Sequence, residues 1–464
     1  MGIQSKHTVL TNWSLSAYSE CLVRPVARTG DLLQALASAR AQHLNVIPHG
    51  AGHSYTDAAL NTRGMVLDLT PMNRILSWDA ACGILRAEPG VTLREVVRTA
   101  GADGWWPFVS PSTPEVTLGG CAAMNVNGRN AWKVGPFGAH LLALEVLFPS
   151  GEECTLTPEH DGALFRALVG SMGLLGVITS VTLQLQRLGS GYVTVRRRPA
   201  DTLAESFALL AEEETGSDFM EAWFDGFASG DRLGRGQVTS ASLEEDRRVE
   251  PHPLPGQAWY DRLAIPLARL AAGLARPALL PGMKAANRLN IWLGRQGGRP
   301  GGNRRALFPY TYWPAAAISG YYALLPEGVE TFQAFLPGQC AEEMTERLLR
   351  YTQKQGFIPL WCVIKRHAPD PFLLSYQVDG FSLELNYPRT RRTAADLERV
   401  LRSMIAETIE AGGRFYLAKD HFLTGAQYRR SLGNEAVDTF LSLKQRVDPE
   451  AVLQSDLFRR IFLT

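Results

Sequence analysis

The chain has 464 residues, 47 basic side chains against 46 acidic ones, and a composition that is 45% hydrophobic and 9% aromatic. A length of this order divides into two or three domains, each with its own core, and the balanced charge excludes a basic nucleic-acid clamp or an acidic disordered tail. Six scattered cysteines (Cys21, Cys82, Cys121, Cys154, Cys340, Cys362) form no CxxC pair, so neither a metal site nor a disulfide framework is expected.

The N-terminal residues show no basic start followed by an apolar run, and no stretch of 18 apolar residues occurs. Neither a signal peptide nor a membrane span is therefore expected, and the location expected is cytoplasmic or peripheral on the inner membrane. Apolar spacing predicts a helix over Asp31–His43, then a strand ending at Asn45–Pro48 and running into the loop PHGAGHSYTD. Strands follow at Met65–Leu69 and Gly83–Glu88. A helix opens at Thr92, where Thr92 and Glu95 have the spacing of a capping box. Leu144–Phe148 and Cys154–Leu156 flank the turn PSGE as a hairpin, and Val177–Gln186 alternates as a half-buried strand. The chain from Tyr192 to Gly412 is strand-like and irregular. A helix over Ala394–Glu410, a strand over Arg414–Leu417 and a helix-rich tail complete the pattern.

Between Pro251 and Ala306 there are nine basic residues and one acidic residue. Arg262, Arg269 and Arg276 lie seven apart among leucines and alanines. Pro266, Pro277 and Pro281 argue against one long helix, leaving Leu267–Arg276 as a short amphipathic one.

Three glycine-rich stretches carry the chemistry. In PHGAGHSYTD, residues 48–57, Gly50 and Gly52 let backbone amides approach a pyrophosphate. The third glycine of a dinucleotide fingerprint is missing, and taken alone a short GxG reads first as a structural turn. In SPSTPEVTLGGCAAMNVNGRN, residues 110–130, small residues would let the chain pack on a flat ligand or between two layers. GSMGLLGVIT, residues 170–179, precedes a long strand.

Taken in order, PHGAGHSYTD, TLGGCAAMNVNG, FGAHLLALEVLFPSGE and LVGSMGLLGVIT resemble the FAD-binding domain of the vanillyl-alcohol oxidase/p-cresol methylhydroxylase superfamily. CVIKRH, FYLAKDH and RVDPEAVLQSDLFRRIFL are similar to the decaprenylphosphoryl-ribose 2-oxidase flavoproteins. The resemblance implies an α+β fold: an FAD-binding domain of two α+β subdomains over 12–190, and a substrate-binding cap domain with an antiparallel sheet over 191–412. A C-terminal segment over 413–464 would return to the FAD site. It implies oxidation of a secondary hydroxyl on a lipid-linked pentose by hydride transfer to flavin.

By the same resemblance, FAD is held by Pro48, His49, Gly50, Ala51, Gly52, His53, Ser54, Tyr55, Thr56, Asp57 and Ala58. Ser112, Thr117, Leu118, Gly119, Gly120, Met124, Asn125, Val126, Asn127, Ile178 and Tyr416 complete its site. Lys419 corresponds to a lysine facing the substrate, and Lys365 and Tyr312 to polar groups of the sugar pocket. A lysine there either acts as base with a lowered pKa or stays charged and steers a substrate phosphate.

Three positions depart from the decaprenylphosphoryl-ribose oxidase pattern. His53 stands where that family has a residue that does not bond the flavin, whereas related sugar-alcohol and aldonolactone oxidases carry a covalent histidyl link in a similar GxxHS context. Asn127 replaces a histidine, and Glu384 replaces a pocket cysteine. A covalent-FAD oxidase of a soluble alditol, sugar or aldonolactone is therefore the competing expectation, and a non-catalytic docking subunit a third. The partners implied are a lipid-linked sugar, an NAD(P)-dependent reductase completing an epimerisation, and an anionic membrane surface touched by 251–306, whose plainer reading is a solvated loop.

Overall fold

A computed structural model describes residues 5–245, 259–275, 278–296, 302–312 and 323–463; within 259–296, the side chains of 259–265, 268 and 296 are not described. The fold is α+β and contains three sheets. The first is built from β1 (Lys6–Thr11), β2 (Tyr18–Pro25), β3 (Val46–His49) and β4 (Met65–Asp68), in the order β1-β2-β4-β3. Its last three strands are parallel. Of these, β4 and β3 are short and mostly apolar, as covered strands must be, whereas β2 begins by alternating exposed and buried residues.

The second sheet comprises β5 (Ile75–Asp79), β6 (Ile84–Ala87), β7 (Trp105–Pro107), β8 (Leu141–Leu147), β9 (Glu153–Leu156) and β10 (Val177–Arg187). The hairpin expected around PSGE is β8 and β9, with Leu144 opposite Leu156. The helix Leu93–Ala100 starts where the sequence places it. Thr92 accepts from the Glu95 amide, and the Glu95 carboxylate accepts from the Thr92 amide at 2.7 Å.

The third sheet is antiparallel and has eight strands: β11 (Tyr192–Ala200), β12 (Phe219–Phe224), β13 (Gly236–Leu243), β14 (Asn303–Ala306), β15 (Val329–Pro337), β16 (Trp361–His367), β17 (Gly380–Pro388) and β18 (Arg414–Phe415). Their order is β14-β11-β13-β12-β16-β17-β15-β18. Helices Ala341–Lys354 and Ala394–Glu410 bury Leu348, Leu349, Leu397, Leu401 and Ile405 in the main core. This sheet gives the region read as irregular a regular frame, because its pairings join strands far apart in sequence.

The basic segment contains two helices, Trp259–Ala275 and Leu279–Gln296. Pro266 lies inside the first, so the short helix Leu267–Arg276 expected from the sequence is too short at its N-terminal end. Arg276, Pro277 and Arg299 lie outside the described residues. Pro281 falls in the first turn of the second helix, where a missing amide leaves no intrahelical bond unmade. Asn287 and Ile291 anchor that helix: Ile291 is buried, and Asn287 Nδ2 donates to Asp225 Oδ1 at 2.9 Å. Its other side exposes Leu289, Trp292 and Leu293 beside Lys284 and Arg288.

Candidate active site

A cleft of about 490 Å³ opens between the loop after β3, the segments 110–129, and one face of the eight-stranded sheet. The loop wall is made largely of backbone. A Cβ on Gly50 would come within 2.3 Å of Thr117 Oγ1, and one on Gly120 within 3.0 Å of the same atom. Gly52 has φ +71, a left-handed conformation that favours glycine. Among the described residues, the amides of Gly50, Ala51, Gly52, His53 and Ser54 find no backbone acceptor. Thr117 Oγ1 and His53 Nδ1, which are buried, also lack a hydrogen-bond partner. Buried donors are rarely left unsatisfied. A run of free amides with no side chain in front of it suits an oxyanion group such as a pyrophosphate.

The loop is held from behind by the C-terminal segment. Thr56 Oγ1 donates to the Leu417 carbonyl at 2.7 Å, and the Tyr55 amide to the Ala418 carbonyl at 2.8 Å. Arg460 grips Asp57 through both carboxylate oxygens, at 3.0 and 2.6 Å. Val46 of β3 bridges to Leu453.

Side chains make up the sheet wall. Trp223, Val363, Glu384 and Gln333 are register partners on four adjacent strands, β12, β16, β17 and β15. Trp361, Val363 and Lys365 alternate along β16, so all three face the cleft. At its centre Lys419 Nζ lies 3.4 Å from Glu384 Oε1 and 3.6 Å from the centre of the Tyr55 ring. Glu384 also accepts from Asn386 Nδ2 at 3.2 Å and Gln333 Nε2 at 3.4 Å. Burial pushes the Glu384 carboxyl up, but Lys419 and Lys365 hold it below its ordinary value. Burial also works against the Lys419 ammonium, which Glu384 and Tyr55 nevertheless keep above the ordinary lysine value. Of the two roles expected for Lys419, the geometry therefore favours the charged one. A second pair joins Arg129 Nε to Glu221 Oε2 at 3.2 Å.

Of the residues expected from the sequence, Pro48, Gly50, Ala51, Gly52, His53, Ser54, Tyr55, Ala58, Ser112, Thr117, Gly120, Met124, Val126, Asn127, Tyr416, Lys365 and Lys419 line the cleft. His49, Thr56, Asp57, Leu118, Gly119, Asn125, Ile178 and Tyr312 are not among its lining residues. Thr56 and Asp57 face the C-terminal segment instead. Leu118 and Ile178 are core residues, and Asn125 Oδ1 accepts from the Gly138 amide at 2.9 Å. Tyr312 is buried against Trp106, and its hydroxyl meets Ser110 Oγ at 3.0 Å, one residue behind the cleft surface. His53 packs against Trp13 with the rings tilted by 37° and their centres 4.1 Å apart; burial, and then His49, lower its pKa to about 4.

Sequence reasoning left Trp13, Ser110, Arg129, Met172, Glu221, Trp223, Gln333, Trp361 and Val363 out of the site. The sheet residues among them occupy one face of separate strands and form no local motif. Period-two alternation in CVIKRH is the one signal that puts Val363 on the side of Lys365.

A family profile described as an FAD binding domain matches residues 20–157. The chain is 28% identical over 425 residues to the decaprenylphosphoryl-beta-D-ribose oxidase of Mycolicibacterium smegmatis, covering 90% of this chain and 89% of that one. It is 23% identical over 447 residues to an L-gulono-1,4-lactone dehydrogenase of Mycobacterium tuberculosis, covering 95% of each chain. A D-lactate dehydrogenase of Anaerostipes hadrus is 31% identical over 146 residues, 30% of this chain. The glycine-walled loop with its free amides fits the cofactor named by the matched domain. No helix among the described residues is long and apolar enough to cross a membrane. The chain is an FAD-dependent oxidoreductase acting on CH–OH donors, with an FAD-binding domain matched over residues 20–157.

Proposed function

We propose that this enzyme oxidises a secondary hydroxyl of a polyprenyl-phosphoryl pentose or a related lipid-linked sugar. The domain division that goes with this reading is 12–190 for FAD, 191–412 for substrate and 413–464 as the returning segment. The observation that carries the lipid-linked part is the exposed face of the helix Leu279–Gln296. Trp292 and Leu289 are each 55% exposed there, beside Lys284 and Arg288. Leu279 and Met283, at the start of this helix, pack into the same apolar cluster as Tyr55 and Trp361 of the cleft. An apolar and cationic surface next to the active-site mouth suits an anionic bilayer holding a lipid-phosphate substrate.

Bound FAD supplies the hydride acceptor. Pro48, the loop from Gly50 to Tyr55, and Ala58, with Thr117, Gly120, Met124 and Asn127, would hold its phosphates and ring. The Lys419 ammonium orients the reacting hydroxyl, and Lys365 approaches from the neighbouring strand. Tyr312 fixes Ser110 through its hydroxyl. Trp223, Trp361 and Val363 exclude water from the reacting carbon. The product is a keto sugar, and an NAD(P)-dependent reductase would complete an epimerisation.

Turnover with a prenyl-phosphoryl pentose, compared with free alditols and aldonolactones, tests the assignment. Activity on the free compounds alone removes it. The second reading, a covalent-FAD oxidase of soluble substrates, is favoured by the unpartnered Nδ1 of His53 in the cleft. Under that reading acid-precipitated protein stays yellow and fluoresces on a denaturing gel. Release of all flavin into the acid supernatant discards the link.

A further inference from the structure

Among the described residues, five charged side chains line the cleft: Arg129, Lys365 and Lys419 against Glu221 and Glu384. Arg129 is paired with Glu221 at 3.2 Å, and Lys419 with Glu384 at 3.4 Å. Among the described residues Lys365 makes no hydrogen bond and no close ion pair, and the charge nearest to it in effect is Glu384, already paired with Lys419. Its strand neighbour Arg366 is engaged by Asp379 at 2.7 Å. His367 on the same strand is buried and hydrogen-bonded to Ser382 at 2.9 Å. The cleft therefore has one positive charge more than it has negative ones, and that surplus sits on Lys365, two residues along β16 from Val363.

We propose that Glu384 neutralises Lys419 and so leaves Lys365 as the cleft's anchor for an anionic, phosphate-type group of the substrate. A partly buried ammonium with no hydrogen-bond acceptor of its own is costly, and an incoming oxyanion removes that cost. Lys419, with Glu384 on one side and the Tyr55 ring on the other, has little charge left to offer a second anion. It keeps donor capacity for a neutral hydroxyl, because an ammonium carries three N–H groups. The two lysines thus divide the work: Lys419 for the reacting hydroxyl and Lys365 for the phosphate. The inference rests on the reading of the substrate as a phosphorylated sugar. Its chemistry is shared by a lipid-linked phosphate and a soluble sugar phosphate.

The test is a titration of the holoenzyme, whose bound flavin already fills the pyrophosphate cradle. Inorganic phosphate, a pentose phosphate, a short-chain prenyl-phosphoryl pentose and free pentose are added in turn. Binding is read from the flavin absorbance shift and by calorimetry, without turnover. Lys365→Met is expected to weaken all three phosphorylated ligands by roughly ten- to hundredfold, and free pentose by far less. The double variant Lys419→Met/Glu384→Gln removes the pair as a unit, and its phosphate affinity should stay within about threefold of the parent. Glu384→Gln alone frees the Lys419 charge and should tighten phosphate binding. Equal losses from Lys365→Met and from the double variant overturn the assignment, as does failure of the parent holoenzyme to bind any phosphorylated ligand. If Glu384→Gln does not fold, the first two variants decide the matter. Binding of the soluble phosphates but not the prenylated one upholds the anchor while rejecting a lipid-linked substrate, so the two readings fail separately.

Discussion

The two walls of the cleft are built on opposite principles. The loop wall around Gly50, Gly52 and Gly120 offers backbone amides and no side chains, and nearly all of it comes from two short runs of sequence. Across the cleft, one to three side chains come from each of four strands, spread from Glu221 to Glu384, and nearly every one is large or polar. Backbone suits a cofactor whose phosphates look the same to every member of a family. Side chains suit a substrate that changes between members, since a strand residue can be exchanged without moving the main chain. The loop wall should therefore govern flavin retention, and the sheet wall should govern turnover.

The largest expected effect breaks the loop wall. Gly50→Val puts side-chain atoms where Thr117 Oγ1 already stands 2.3 Å from the Cβ position, and the purified protein should be colourless. A yellow variant with full flavin content would undo the division between the walls. On the sheet side, Lys419→Met should keep its flavin but slow flavin reduction by substrate roughly a hundredfold, a loss typical of a group acting at the reacting hydroxyl. Stopped-flow mixing under anaerobic conditions measures it, and parent-like rates would remove Lys419 from the site.

A smaller effect is expected outside both walls. Replacing Leu289 and Trp292 by Ser, together with Lys284 and Arg288 by Gln, should release the protein from anionic vesicles at low salt. Each basic residue near such a surface contributes about 1 kcal/mol. The KM for a long-chain substrate should rise about tenfold, with little change for a short-chain one. Equal changes for both chain lengths would show that the helix does not serve the lipid.

The smallest effect concerns pH. Burial lowers the pKa of His53 to about 4 and, with Lys365 nearby, that of His367 to about 3, against an ordinary value of 6.5. The folded state therefore favours the neutral rings. Their contribution is complete above the ordinary value and is lost as pH falls from about 6.5 towards 4. Thermal melting should move down between about pH 7 and pH 5, and His367→Gln, which keeps a donor for Ser382, should flatten part of that slope.

How much of this was legible in the sequence follows from the same contrast. The loop wall could be read because glycine spacing is local and because small residues have a direct backbone meaning. The capping box at Thr92 and the hairpin of β8 and β9 were readable for the same reason. The eight-stranded sheet was not: β12 pairs with β16 across more than a hundred residues, and no local pattern encodes that register. Glu384 stood out as an unusual residue, yet its ion pair with Lys419 depends on that sheet. Tyr312 was expected at the sugar, but its aromatic neighbours draw it into the core behind Ser110.

The fastening of the cofactor loop by the C-terminal segment has a consequence for synthesis. Residues 48–58 leave the ribosome some four hundred residues before Arg460, which grips Asp57, and Leu453, which pairs with Val46. Folding during translation proceeds from the N-terminus, but here the loop lacks its final partners until translation has passed residue 460. Nascent chains stalled before that point would hold a nearly finished first sheet and an unfastened cradle. Flavin capture by such chains, measured on arrested ribosomes, should appear only once these last helical turns have emerged.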